Sequence, residues 1–222
     1  MLAVFCVRYA GDAPPPSTLR GPGDHEIRLL EEGPLGIWVA EGALDRPGLE
    51  AIAAHDAVVR AALRSATPVP VRFGTAFDDE RAARASLRER EAELMESLER
   101  VAGRVEMGLR VEWDAAMPMT ATSSVPGSGR DYLLARRSEL EGKARLRLEA
   151  ETLLDQVEVR VAPKGSLSVR KLIPEVGVAG LLAHLVHRQE TASFRSRVDG
   201  ARRELPHVVL RLSGPWAPYS FV

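Results

Sequence analysis

The chain has 222 residues, of which 45% are hydrophobic and 27% charged, an ordinary balance for one large or two small globular domains. Lys and Arg number 30 against 31 Asp and Glu, so the net charge is −1, which offers neither the cationic excess of a nucleic-acid binder nor a polybasic membrane anchor. Cys6 is the single cysteine, so no intrachain disulfide forms, and a reducing cytoplasm is the expected location.

Residues 1–10, MLAVFCVRYA, predict a buried strand that places Cys6 among apolar neighbours as an inert thiol. No basic segment precedes this run, so it does not read as a signal peptide, and no stretch approaches the length of a membrane span. Prolines 14–16 and the paired glycines 21 and 23 predict a loop. EIRLLEE and LGIWVAE, separated by Gly33-Pro34, predict a hairpin. A helix is expected over 45–66, with Asp45 as its cap and Pro47 in its first turn. TPVPVRFGTAF (67–77) reads as one strand, with Pro70 marking an edge or a bulge.

The clearest helix is expected over 78–103. Asp78 or Asp79 caps it, Leu87, Leu94, Leu98 and Val101 form its apolar stripe, and Gly103 ends it. A strand follows at 104–113. The Ser, Thr, Pro and Gly content of the next segment predicts a linker at 116–127 between domains 1–115 and 128–222. The second domain opens on a long helix over 130–156. Leu133, Leu140 and Ala144 begin one apolar stripe, and Leu146, Leu153 and Val157 continue a shifted one. Strands at SLSVRKLIP and VGVAGLLAHLVHR, a helix at 190–206 and a strand at HVVLRLSG complete the order. The expected class is α+β in two domains, each ferredoxin-like (split βαβ) in character.

Motifs for chemistry are scarce. Neither a dinucleotide fingerprint, nor a phosphate loop, nor a nucleophile elbow occurs. His55 and Asp56 are adjacent on a helix and diverge by about 100°. His184 and His187 would share a face only on a helix; on the predicted strand they face opposite ways, and no carboxylate stands at ligand spacing. His25 and His207 read as solvated. Asp78, Asp79 and Glu80 read as a helix start rather than a cation site. No catalytic, cofactor or metal residue is assigned. VRFGTAF is a poor copy of an RNA-binding motif, so no nucleic-acid partner is expected.

The tail GPWAPYSFV places Trp216, Tyr219 and Phe221 where chain ends are normally polar. It reads as folding back to seal the seam between domains, stiffened by Pro215 and Pro218; a partner-binding arm is the other reading.

Four segments in order carry a resemblance: TPVPVRFGTAFDDE (67–80), the 87–113 segment with Arg104-Val105-Glu106, GSGRDYLLARR (127–137) and LSGPWAPYSFV (212–222). Together they resemble the gas vesicle protein F/L family across nearly the whole chain. Ala217 departs from the family's more usual proline, and the first loop carries no family mark. The resemblance implies a two-domain α+β fold and a non-enzymatic accessory protein. Its implied partners are the small hydrophobic shell protein and other accessory proteins of gas vesicles, with no cofactor. An enzyme with a site near His184 and His187, or a ferredoxin-like module binding a small ligand or RNA, are the alternatives.

Overall fold

The computed structural model describes residues 1–42, 48–113, 129–175 and 177–222. The fold is α+β with two antiparallel sheets, and the chain gathers into two compact units. One comprises Met1–Glu106 with Pro215–Val222, the other Met107–Gly214. The expected linker at 116–127, and the Asp45 cap with Pro47, lie outside the described residues.

In the first unit, β1 (Leu2–Tyr9) is central. It pairs with β3 (Leu35–Glu41), which pairs in turn with β2 (Arg28–Glu32) across the expected hairpin. On its other side β1 meets two short strands, β4 (Val69–Pro70) and β5 (Ala76–Phe77). β1 is apolar at nearly every position because both of its faces are covered. Ala3, Phe5 and Cys6 join Trp38 and Ala40 against Val58, Val59 and Ala62 of α1 (Leu49–Ser65). Val4, Val7 and Ile37 face the opposite side, where Leu87 and Leu94 also lie. A register shift between Val4 and Cys6 lets Phe5 and Cys6 both enter the α1 side.

Two expected elements are divided. The 67–77 segment forms β4 and β5 rather than one strand. Gly74 takes φ +92°, a conformation glycine adopts freely, and the Thr75 amide closes a turn onto the Arg72 carbonyl at 3.2 Å. The 78–103 helix is α2 (Glu80–Glu89) and α3 (Glu91–Val101), broken at Arg90 with ψ 14°. Three and four residues beyond Leu87 stand Arg90 and Glu91, so the buried stripe has no apolar residue there to hold a continuous helix down. Arg90 instead grips Glu93 through two hydrogen bonds.

The Asp79 carboxylate accepts from the Ala82 amide at 2.7 Å, which satisfies one of the free donors of α2. Asp79→Ala is expected to destabilise the first unit by about 1 kcal/mol, read from the midpoint of urea unfolding; Asp78→Ala is expected to have little effect.

The second unit has the sheet order β7-β8-β6-β9. These strands are β6 (Arg104–Trp113), β7 (Ser168–Glu175), β8 (Val178–His187) and β9 (Val208–Trp216). The last runs further than the expected 207–214. Its helices are α4 (Gly129–Val161) and α5 (Thr191–Glu204). On one face Met107, Leu109 and Val111 of β6 are buried, as are Leu182, His184 and Val186 of β8. Leu154, Val157 and Val161 of α4 and Phe194 and Val198 of α5 are buried with them. α4 spans roughly 50 Å at the standard rise, and only its second apolar stripe is buried. Leu133 and Leu140 remain exposed; Arg137 with Glu141, Lys143 with Glu139 and Arg147 with Glu151 pair along the same helix.

Candidate interaction surfaces

The described ionisable groups are mostly tied to structural duties. Cys6 is fully buried, and burial pushes its thiol up to about 12, so it stays protonated and unreactive. His55 is buried in α1 with its ring 5.1 Å from Phe5 and 5.6 Å from Phe73, and its Nε2 bonds the Val71 carbonyl at 3.0 Å. Burial holds its pKa below the usual histidine value. Asp56 does not join it; the Asp56 carboxylate pairs with Arg60 at 2.6 Å.

The structure keeps His184 and His187 apart. β8 turns His184 into the core, fully buried and 5.3 Å from the Phe194 ring, while His187 is exposed at the strand end. Burial, opposed in part by the Glu158 charge, lowers the His184 pKa; the Arg197 charge lowers it further. Neither of its ring nitrogens has a hydrogen-bond partner among the described residues. Among those residues no group of three or more His, Cys, Asp or Glu is placed to hold a metal, and no helix is long and apolar enough to cross a membrane.

What the first unit does offer is two recesses, one of mixed polarity and one mainly apolar. A cavity of about 550 Å³ is lined by Val4, Val7, Ile37, Leu87 and Leu94 together with Arg72, Arg90, Glu93 and Tyr219. A second hollow of about 460 Å³ lies between Leu49, Ile52, Phe73 and Tyr219. Leu49 is 89% exposed and Ile52, which lines the same hollow, 44%. With His55 bonded to backbone and Asp56 to Arg60, the second hollow suits an apolar side chain better than a reacting group.

The tail is part of the first unit. Phe221 and Ala217 are buried, and the Arg60 guanidinium lies 4.3 Å from the centre of the Trp216 ring. The Ser220 amide and hydroxyl both donate to the Glu106 carboxylate at 2.8 Å, and Arg100 donates to the Phe221 carbonyl. Tyr219 stays 38% exposed between the two hollows. The aromatic clustering in the sequence marked the tail; the Glu106 clasp, 114 residues away, had no local signal.

The comparisons with known proteins agree along the whole length. The family model described as "Gas vesicle synthesis protein GvpL/GvpF" matches residues 2–222. Gas vesicle protein L of Streptomyces sp. (strain CB03234) is 32% identical, covering 98% of this chain and 91% of that protein. Gas vesicle protein F of the same strain is 28% identical over 93% of each. The crystal structure of gas vesicle protein GvpF from Anabaena sp. PCC7120 superposes with a TM-score of 0.79 over 99% of this chain and 97% of that one. At 16% identity that likeness is one of fold.

Proposed function

Because the chain belongs to the GvpL/GvpF family of gas vesicle synthesis proteins, we propose that it is a non-enzymatic accessory protein of gas vesicles. It binds the hydrophobic shell protein and other accessory proteins during assembly, in the cytoplasm and at the vesicle, with no cofactor and no nucleic-acid or membrane partner. The full-length family match carries this reading. The physical problem fits: apolar shell subunits aggregate through exposed apolar surface and open strand edges until something covers them. The mainly apolar second hollow, bordered by His55 and Asp56 already engaged in structure, supports binding over chemistry.

Co-expression with a gas vesicle shell protein tests it. The expected result is a shell subunit that stays soluble and co-purifies; a subunit that remains insoluble and never co-purifies contradicts direct binding. A second reading, a ferredoxin-like module for a small ligand, draws on the 550 Å³ cavity. A thermal-shift screen of nucleotides and amino acids that finds a stabilising compound would favour it.

A further inference from the structure

Apart from the two-residue β5, which pairs only with β1, the outer strands of the two sheets are β2, β4, β7 and β9, and three of these four are blunted. On β2, Arg84 donates to the Glu31 carbonyl. β4 is two residues long; its neighbour Val71 donates inward to Phe5, so Pro70 faces outward with a nitrogen that carries no hydrogen. On β9, the Leu210 carbonyl takes two hydrogen bonds from Arg202, and Arg195 donates to the Gly214 carbonyl.

β7 differs. The Leu185 amide donates to the Leu167 carbonyl at 2.9 Å, and the register continues as Val169 with Ala183 and Lys171 with Leu181. Residues of that parity spend their backbone groups on β8, so the N–H and C=O groups of Ser168, Arg170 and Leu172 point away from the sheet. No described residue caps them. Val169 is 42% exposed and shares a sheet face with Lys171. On the other face Arg170 pairs with Asp155 and Glu158 of α4, and those pairs leave out the exposed Lys164 and Lys171. Two of the protein's three lysines therefore stand unpaired among the described residues, Lys171 on β7 and Lys164 just before it.

We infer that the outer edge of β7 takes up an extended segment of another protein, one that carries a carboxylate and an apolar residue on the same strand face. The segment's backbone pairs with Ser168, Arg170 and Leu172, its apolar side chain covers Val169, and its carboxylate meets Lys171. Polar residues suffice on its other face, beside Arg170 and Ser168. A lysine on a free edge also repels unwanted copies of the chain, which leaves an acidic partner as the favoured one. The inference names a surface for the partner binding proposed above, but its test uses no vesicle protein, so either can fail without the other.

The full chain, labelled with ¹⁵N, is titrated with the blocked hexapeptide Thr-Val-Thr-Glu-Thr-Val. Hydrogen exchange is expected to slow at the amides of Ser168, Arg170 and Leu172. A peptide with lysine in place of glutamate is expected to bind roughly two- to fivefold more weakly, as an exposed ion pair allows, and Lys171→Glu is expected to reverse that preference. A peptide N-methylated on alternate residues is expected to lose binding. Unchanged exchange at those three amides, or an unchanged preference in Lys171→Glu, overturns the inference. So does protection that appears without peptide and grows with protein concentration, which would make the occupant a second copy.

Discussion

Replacing Phe221 with alanine is expected to lower the melting temperature by roughly 10 °C. Chain ends usually fray, so the next-to-last residue of a protein seldom matters to stability. Here Phe221 is only 7% exposed, and the residues before it are fastened at several points. Ala217 belongs to the core formed by Phe5, Trp38 and α1. Arg60 covers Trp216, and Glu106 holds Ser220 by both its amide and its hydroxyl. Truncating a buried phenylalanine costs about 3–5 kcal/mol, and each kcal/mol is worth about 2–4 °C in a chain of this size. Val222→Ser, at a residue 46% exposed, is the matched control and is expected to melt normally. Removing residues 217–222 leaves β9 whole and should also raise the fluorescence of an apolar-surface dye. A truncated chain that melts like the intact one would show that the tail contributes no stability. If it also lost its partner, the tail would be a binding arm.

Mild acid is expected to weaken the fold before any carboxylate is protonated. His55 and His184 are both held below the usual histidine value of 6.5, in each case chiefly by burial. The unfolded chain therefore takes up protons near pH 6.5 that the folded chain refuses. Stability is complete above that pH and falls as pH drops from 6.5 toward the lower folded values, by about 1.4 kcal/mol per pH unit for each histidine that stays neutral. Carboxylates stabilised by arginine partners act in a separate window. Hydrogen bonds from Arg88 and Arg84 lower the Glu32 pKa, and those from Arg211 and Arg110 lower that of Glu112, so their contributions are lost only below the usual 4.5. Urea midpoints between pH 8 and pH 5 isolate the histidines. His184→Leu is expected to flatten the slope while keeping stability at pH 8, because both ring nitrogens lack partners and leucine fills a similar volume. A slope that is flat in the unmodified chain, or unaltered in the variant, contradicts this account.

The sequence exposed elements wherever one residue pattern met one environment. β1 was legible because a run of apolar residues can be buried on both faces only in a central strand. The shifted stripes of α4 were legible too, but not their meaning: the stripe through Leu153 and Val157 is buried and the one through Leu133 and Leu140 is not. A stripe records amphipathicity and says nothing about whether the covering element lies within the same chain. The break at Arg90 was missed because neither proline nor glycine marks it; only the charged pair inside the leucine spacing does. The open edge of β7 could not be read locally. Among the described residues it is defined by contrast with β2 and β9, which are capped by arginines such as Arg84, 53 residues from the carbonyl it covers. The sequence did separate His184 from His187, because alternation on a strand sends them to opposite faces.

The central claim is that this chain serves gas vesicle assembly by binding, without a reacting group of its own. Vesicle yield, counted by electron microscopy in cells whose vesicle gene set lacks this chain, tests it most directly. A variant combining His184→Leu with His187→Gln, shown to be folded by its unfolding midpoint, should restore vesicles as fully as the unmodified chain. A folded variant that restores none, beside an unmodified chain that does, would contradict it.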